Sequence, residues 1–218
     1  MTAFLNELNN LLDPVAQPAR APAMRAYMRD QFEFLGIATP DRRAAAKPLL
    51  KRFKAAPAEI LLELAQNLWE LPQREYQYVA LDLLAMHYRA MQPEHIPALL
   101  GFVQRKSWWD TVDGLAAIIG DILNGRHDHM DDAIKQTDFW IRCIAILHQL
   151  GWREKVDTER LFGYALSQGQ EKEFFIQKAI GWALRDYARH APDAVRDFLS
   201  TNKNRLAPLT VREAAKHL

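Results

Sequence analysis

Apolar residues recur at intervals of three and four along nearly the whole chain, and strict alternation of apolar and polar residues never persists. That periodicity builds helices with one buried face and denies a sheet the two-residue repeat that it needs. Helix starts are marked by punctuation. Thr39-Pro40 follows the loop Gly36-Ile37-Ala38 and reads as a cap with proline in the first turn, and Pro57, Pro93 and Pro192 open helical patterns in the same way. Ser107-Trp108-Trp109-Asp110 has the form of a capping box. The spacing predicts helices over 2–13, 17–33, 40–54, 57–70, 73–90, 93–104, 108–124, 128–135, 138–150, 157–168, 172–190, 192–200 and 208–218.

Several of these begin with a bulky aromatic residue, namely Tyr76, Trp108, Phe139 and Phe174, at intervals of 30–35 residues. Such a period suits a repeating two-helix unit. The expected fold is therefore all-α: an α-solenoid of stacked antiparallel helix pairs, HEAT-like, with a concave inner face. No linker or low-complexity stretch divides it, so one domain is expected over 1–218. Half of the chain is apolar, enough for a sizeable core.

Formal net charge is +1, so any nucleic-acid contact requires Lys and Arg gathered on one face. A single cysteine, Cys143, excludes an internal disulfide and a cysteine-based zinc site. The N-terminus lacks the basic and apolar regions of a signal peptide. The richest apolar stretch, Phe139 to Leu150, is interrupted by Arg142 and His148. A cytoplasmic location and no membrane partner are expected.

Three segments carry candidate chemistry. Trp109 and Asp113 are four residues apart and share a helix face. Asp110 has a duty as the capping-box acid, which leaves Asp113 without one, although a solvated acid is the plain alternative. On the helix from Phe174 to His190, Ile176, Ile180, Ala183, Leu184 and Tyr187 form an apolar stripe. Beside it Lys178, Trp182, Arg185 and Arg189 form a second. An indole among cations is either covered by their aliphatic stems or presented with them to phosphates and bases. The basic run Arg42, Arg43, Lys47, Lys51, Arg52 and Lys54 wraps its helix and reads mainly as a solvated face, with Arg43 and Lys47 suited to a phosphate. His127 and His129 lie in an apparent turn and form at most a weak metal motif.

Longer strings add a resemblance. Phe34-Leu35-Gly36-Ile37-Ala38-Thr39-Pro40-Asp41-Arg42-Arg43, Leu68-Trp69-Glu70-Leu71-Pro72-Gln73-Arg74-Glu75 and Ser107-Trp108-Trp109-Asp110-Thr111-Val112-Asp113 are three of them. Ala145-Ile146-Leu147, Phe174-Phe175-Ile176-Gln177-Lys178-Ala179-Ile180-Gly181-Trp182 and Leu206-Ala207-Pro208-Leu209 complete the set. With these the chain resembles, over essentially its whole length, the AlkD-like DNA alkylation repair family of HEAT-like-repeat DNA glycosylases. The resemblance implies excision of N3- and N7-alkylated purines from double-stranded DNA without metal or cofactor, by a monomer. It implies Asp113 as the catalytic carboxylate and Trp109 and Trp182 as flanking indoles; Tyr27, Arg43, Arg142, Lys178 and Arg185 are the expected DNA contacts. A shallow concave face leaves little room for a flipped base, so these groups are expected to approach from the backbone side, which makes uncharged lesions poor substrates.

One position departs from the family, which carries Trp-x-x-Arg before Ala-Ile-Leu. Here Trp140-Ile141-Arg142-Cys143 puts Cys143 in that place and the arginine one residue early, about 100° around the helix. Two expectations stay open. Either Cys143 lines the site and activity is weak until Cys143→Arg restores a cation, or Cys143 is a buried core thiol. The alternatives to a glycosylase are a DNA-binding relative without turnover and a helical scaffold for proteins.

Overall fold

The computed structural model describes residues 2–218. Its contacts divide the chain into two compact units, Met1–Met91 and Gln92–Leu218. Among the described residues every element is helical, apart from one isolated bridge between Glu33 and Gln73. No described helix is long and apolar enough to cross a membrane.

The first unit holds α1 (Thr2–Leu12), α2 (Ala21–Tyr27), α3 (Thr39–Lys51), α4 (Ala58–Glu70) and α5 (Arg74–Met86). α4 and α5 form an antiparallel pair, with α3 against α5 and α1 against α3. The helix predicted over 17–33 shrinks to α2. Beyond it the backbone turns left-handed at Arg29 and Asp30, with φ of 53° and 57°. The cause lies on α5. Arg74 is fully buried, its guanidinium 3.8 Å from the Phe32 ring centroid, and its backbone N–H donates to the Glu33 carbonyl at 2.8 Å. Glu75, also fully buried, accepts the backbone N–H groups of Leu35, Gly36 and Ile37 at 3.0, 3.0 and 3.1 Å. Gly36 has φ +84°, and a Cβ there would meet the Gln17 carbonyl oxygen at 2.1 Å, so only glycine fits this turn.

Glu75→Gln is therefore expected to cost about 2 kcal/mol, because an amide presents one acceptor and one donor to three donors. In thermal denaturation that is a fall of several degrees with helicity retained, and an unchanged midpoint would remove Glu75 as the organiser of this loop.

The second unit contains α6 (Ile96–Val103), α7 (Trp109–Leu123), α8 (Met130–Ala133), α9 (Phe139–Leu147), α10 (Thr158–Ser167), α11 (Phe174–Ala188), α12 (Pro192–Asn202) and α13 (Pro208–Ala214). α7, α9, α11 and α13 pack side by side in that order, and α6, α8, α10 and α12 each contact the layer they precede or follow. The layer helices start at residues 109, 139, 174 and 208, at intervals of 30, 35 and 34. The repeat period seen in the sequence is thus the spacing of one layer. Its aromatic openings meet physically: ring centroids are 6.1 Å apart for Trp108 and Trp140, 4.7 Å for Trp140 and Phe175, and 5.4 Å for Trp108 and Phe175. The N-terminal ends of α7, α9 and α11 accordingly lie together and the three helices run parallel.

The capping box does not form. Trp108 is the N-cap residue and makes no side-chain cap, while the Ser107 hydroxyl donates backward to the Val103 carbonyl of α6. Ser107 closes the preceding helix instead of opening the next, which places Asp110 in the first turn of α7 as an acid at the positive end of the helix.

Candidate nucleic-acid and catalytic site

α7 buries Val112, Leu115, Ala116 and Ile119, and that stripe turns Trp109, Asp110 and Asp113 to the side, where each is half-buried. Asp113 receives no hydrogen bond from any described residue. Burial first, and then the neighbouring charge of Asp110, pushes its carboxyl up to about 7. The helix dipole would favour the anion this close to an N-terminus, but the loss of water outweighs it. A carboxyl group kept short of both solvent and donors is unusual in a folded protein, which makes Asp113 a candidate functional group.

α9 lies between α7 and α11, and its Trp140 to Leu147 segment is buried except at Arg142. Cys143 is 2 % exposed. Burial, with the Asp113 charge as the next contribution, drives its thiol far above the ordinary range. Of the two expectations for Cys143, the structure shows the buried thiol, although one near Asp113. Arg142 is directed elsewhere, its Nη1 lying 3.0 Å from Glu171 and 3.0 Å from Gln168. The one-residue offset in sequence thus becomes a different direction in space, and an acid from the turn before α11 neutralises the guanidinium.

α11 presents both stripes foreseen for it. Ile176, Ile180, Ala183 and Leu184 are buried with Tyr187 half-buried at the end of their stripe, and Lys178, Trp182 and Arg185 form the half-buried neighbour. The Lys178 ammonium is 5.3 Å and the Arg185 guanidinium 6.0 Å from the Trp182 ring centroid. Arg189 is exposed at the end of the helix. Nothing in the sequence singled out the group that organises these cations, Glu213 of α13, whose Oε2 meets Lys178 Nζ at 3.0 Å and Arg185 Nη1 at 3.3 Å.

Tyr27 and Arg43 belong to the first unit. Tyr27 ends α2 and is 71 % exposed. Arg43 donates through Nε to Asp82 at 3.0 Å and keeps most of its surface in solvent, whereas the adjacent Arg42 is buried, pairs with the same carboxylate at 3.1 Å and stacks on Tyr78. The basic run is therefore two kinds of arginine, one structural and one presented.

Two of the histidines engage each other. His127 Nδ1 lies 2.9 Å from His148 Nε2, and His148 Nδ1 is 2.6 Å from the Ala145 carbonyl. His148 donates to that carbonyl and so accepts from His127. Burial lowers His148 to about 4, keeping it neutral. Among the described residues no group of three His, Cys, Asp or Glu is placed to hold a metal ion.

The sequence matches the family model described as DNA alkylation repair enzyme over residues 8–218. The chain belongs to the DNA alkylation repair enzyme family. A solved structure, a predicted DNA alkylation repair enzyme from Enterococcus faecalis, is 34 % identical, with a TM-score of 0.86, covering 93 % of this chain and 96 % of that one. No curated protein matches. Of the six strings that suggested the family, three lie on or at the start of α7, α11 and α13, and the others lie at the start of α3, across the turn from α4 to α5, and on α9.

Proposed function

We propose that this member of the DNA alkylation repair enzyme family is a DNA glycosylase that releases positively charged N3- and N7-alkylated purines from duplex DNA. The observation that carries the reading is Asp113, a half-buried carboxyl with no donor and a raised pKa, one helical turn from the Trp109 indole. An alkylated purine already bears a positive charge, so its bond to deoxyribose breaks without an added proton and the base departs neutral. Positive charge then develops on the sugar. An anionic Asp113 opposes that charge and can accept a proton from the attacking water, leaving an abasic site and a free alkylpurine. The indole faces of Trp109 and Trp182 attract a cationic sugar or base through the ring quadrupole, and Lys178, Arg185, Arg43 and Tyr27 are suited to the phosphate backbone. The chemistry requires no metal or cofactor.

A specific observation also supports a second reading. Cys143, at the position where the family carries an arginine, is buried and supplies no cation, and the neighbouring Arg142 is held by Glu171. That favours slow turnover, or binding without turnover. Incubation of methylated duplex DNA with the protein separates the readings. Free methylpurine above the protein-free level supports the glycosylase, salt-sensitive binding without release supports the second reading, and neither would point to a scaffold.

A further inference from the structure

Glu213 lies beneath the cation stripe of α11. It is 4 % exposed, and its Oε2 meets three cations: Lys216 Nζ at 2.8 Å, Lys178 Nζ at 3.0 Å and Arg185 Nη1 at 3.3 Å. Its placement is built into the packing of α13 on α11. A Cβ at Gly181 would come within 2.5 Å of the Glu213 Cβ, so the glycine preceding Trp182 is what lets the acid approach. One turn away, the Thr210 hydroxyl donates to the Gln177 carbonyl at 3.0 Å and fixes the register of the two helices. The carboxylate side chain is 6 % exposed, against 23 % for Lys178 and 22 % for Arg185. The acid therefore faces inward and the cations face out on either side of Trp182. The hydrogen bond from Lys216, followed by that from Lys178, holds Glu213 down to about 2, so it is an anion at any physiological pH.

Three cations on one carboxylate leave two positive charges on the surface. Long basic side chains free in water lose rotamer entropy when they grip a phosphate, and a buried anion that fixes them beforehand removes part of that loss. The same anion repels the phosphate. Resting on the DNA-contact reading above, we propose that Glu213 is a positioning residue for this surface. It is an internal counter-anion that fixes Lys178 and Arg185 on both sides of Trp182 while withholding one unit of positive charge from the DNA.

The two roles pull in opposite directions, and Glu213→Gln exposes both. Binding of undamaged duplex is expected to tighten roughly three- to fivefold near 0.1 M salt, and the log-log salt slope to steepen by about 0.9, the value of one further charge. Base release at saturating protein is expected to slow about tenfold, as the groups beside Trp182 lose their fixed geometry. A variant that is merely damaged loses binding and release together. Unchanged affinity and slope, or weaker binding with slower release at a normal melting temperature, would overturn the inference. Should Glu213→Gln not fold with three uncompensated cations, the comparison moves to Lys216→Met with and without Glu213→Gln, where the same split is expected. A wild type that binds duplex but releases no base fails the glycosylase reading alone, and the affinity and slope still decide the role of Glu213. A wild type that binds no duplex overturns both.

Discussion

Asp113→Asn is expected to lower release of alkylated bases by about 10²–10³-fold while leaving affinity for undamaged duplex within about a factor of two. Asn keeps the volume and the half-buried position of the side chain but not the charge that opposes the developing sugar cation. It also cannot take a proton from water. The same change should stabilise the fold. Burial raises Asp113 from 3.8 to about 7, so the folded state holds this proton over a pH range in which the unfolded chain has released it. Stability contributed by the group is therefore lost as pH rises from about 4 to about 7, and it stays lost above that. At pH 8, Asn should recover about 2 kcal/mol once residual solvent screening is allowed for, or roughly 4–8 °C in melting temperature. Near pH 4 the difference should vanish. Melting curves at pH 8 and pH 4.5 beside the release assay check both halves. Full activity in the variant would remove Asp113 from the mechanism, and a lower melting temperature at pH 8 would mean that it is a structural acid.

Cys143→Arg is expected to damage the fold instead of restoring a contact. Position 143 is 2 % exposed in a segment where Ile141, Ile144, Ala145, Ile146 and Leu147 are also buried. A guanidinium there must displace close-packed side chains and leave water, with Asp113 as its nearby anion. Overpacking and charge burial together cost about 3–5 kcal/mol, or on the order of 10 °C in a chain of this size. The pairing with Asp113 would also neutralise the carboxylate that the chemistry needs. Thermal denaturation with a parallel release assay checks this. A normal melting temperature with faster release would show that position 143 can take up a DNA-contact cation, and that its burial here is not binding.

The helices and their repeat were legible in the sequence because both are written in local spacing. The 3.6-residue period fixes which face is buried, and proline and aromatic openings recur once per helix pair. That Trp109 and Asp113 share one side of their helix was legible for the same reason, through their four-residue spacing, while the role proposed for Asp113 came from the resemblance. What failed depends on partners far along the chain. Residues 28–33 have an acceptable helical pattern, but Arg74 and Glu75, about 40 residues on, capture the neighbouring backbone. Ser107 satisfies the local rule for opening a helix and is instead used to close the one before it. The one-residue offset of Arg142 was legible, but the partners that set its direction, Glu171 and Gln168, lie 26 to 29 residues later. Glu213 is one of 27 acids in the chain, and only the approach of α13 at Gly181 distinguishes it from the rest. Helical spacing placed Lys178, Trp182 and Arg185 on one stripe, but not the carboxylate that pairs with the two cations.

The central claim is that an anionic Asp113 drives release of a cationic base, and its most direct test is the pH dependence of that release. Under limiting-substrate conditions the profile of kcat/KM reports ionisation in the free protein. With Asp113 raised to about 7, release of a methylpurine from duplex DNA should climb about tenfold per pH unit below that value and level off above it. The Asp113→Asn protein should stay low at every pH. A wild-type profile that is flat, or that falls with rising pH, or release retained by Asp113→Asn, would contradict the account.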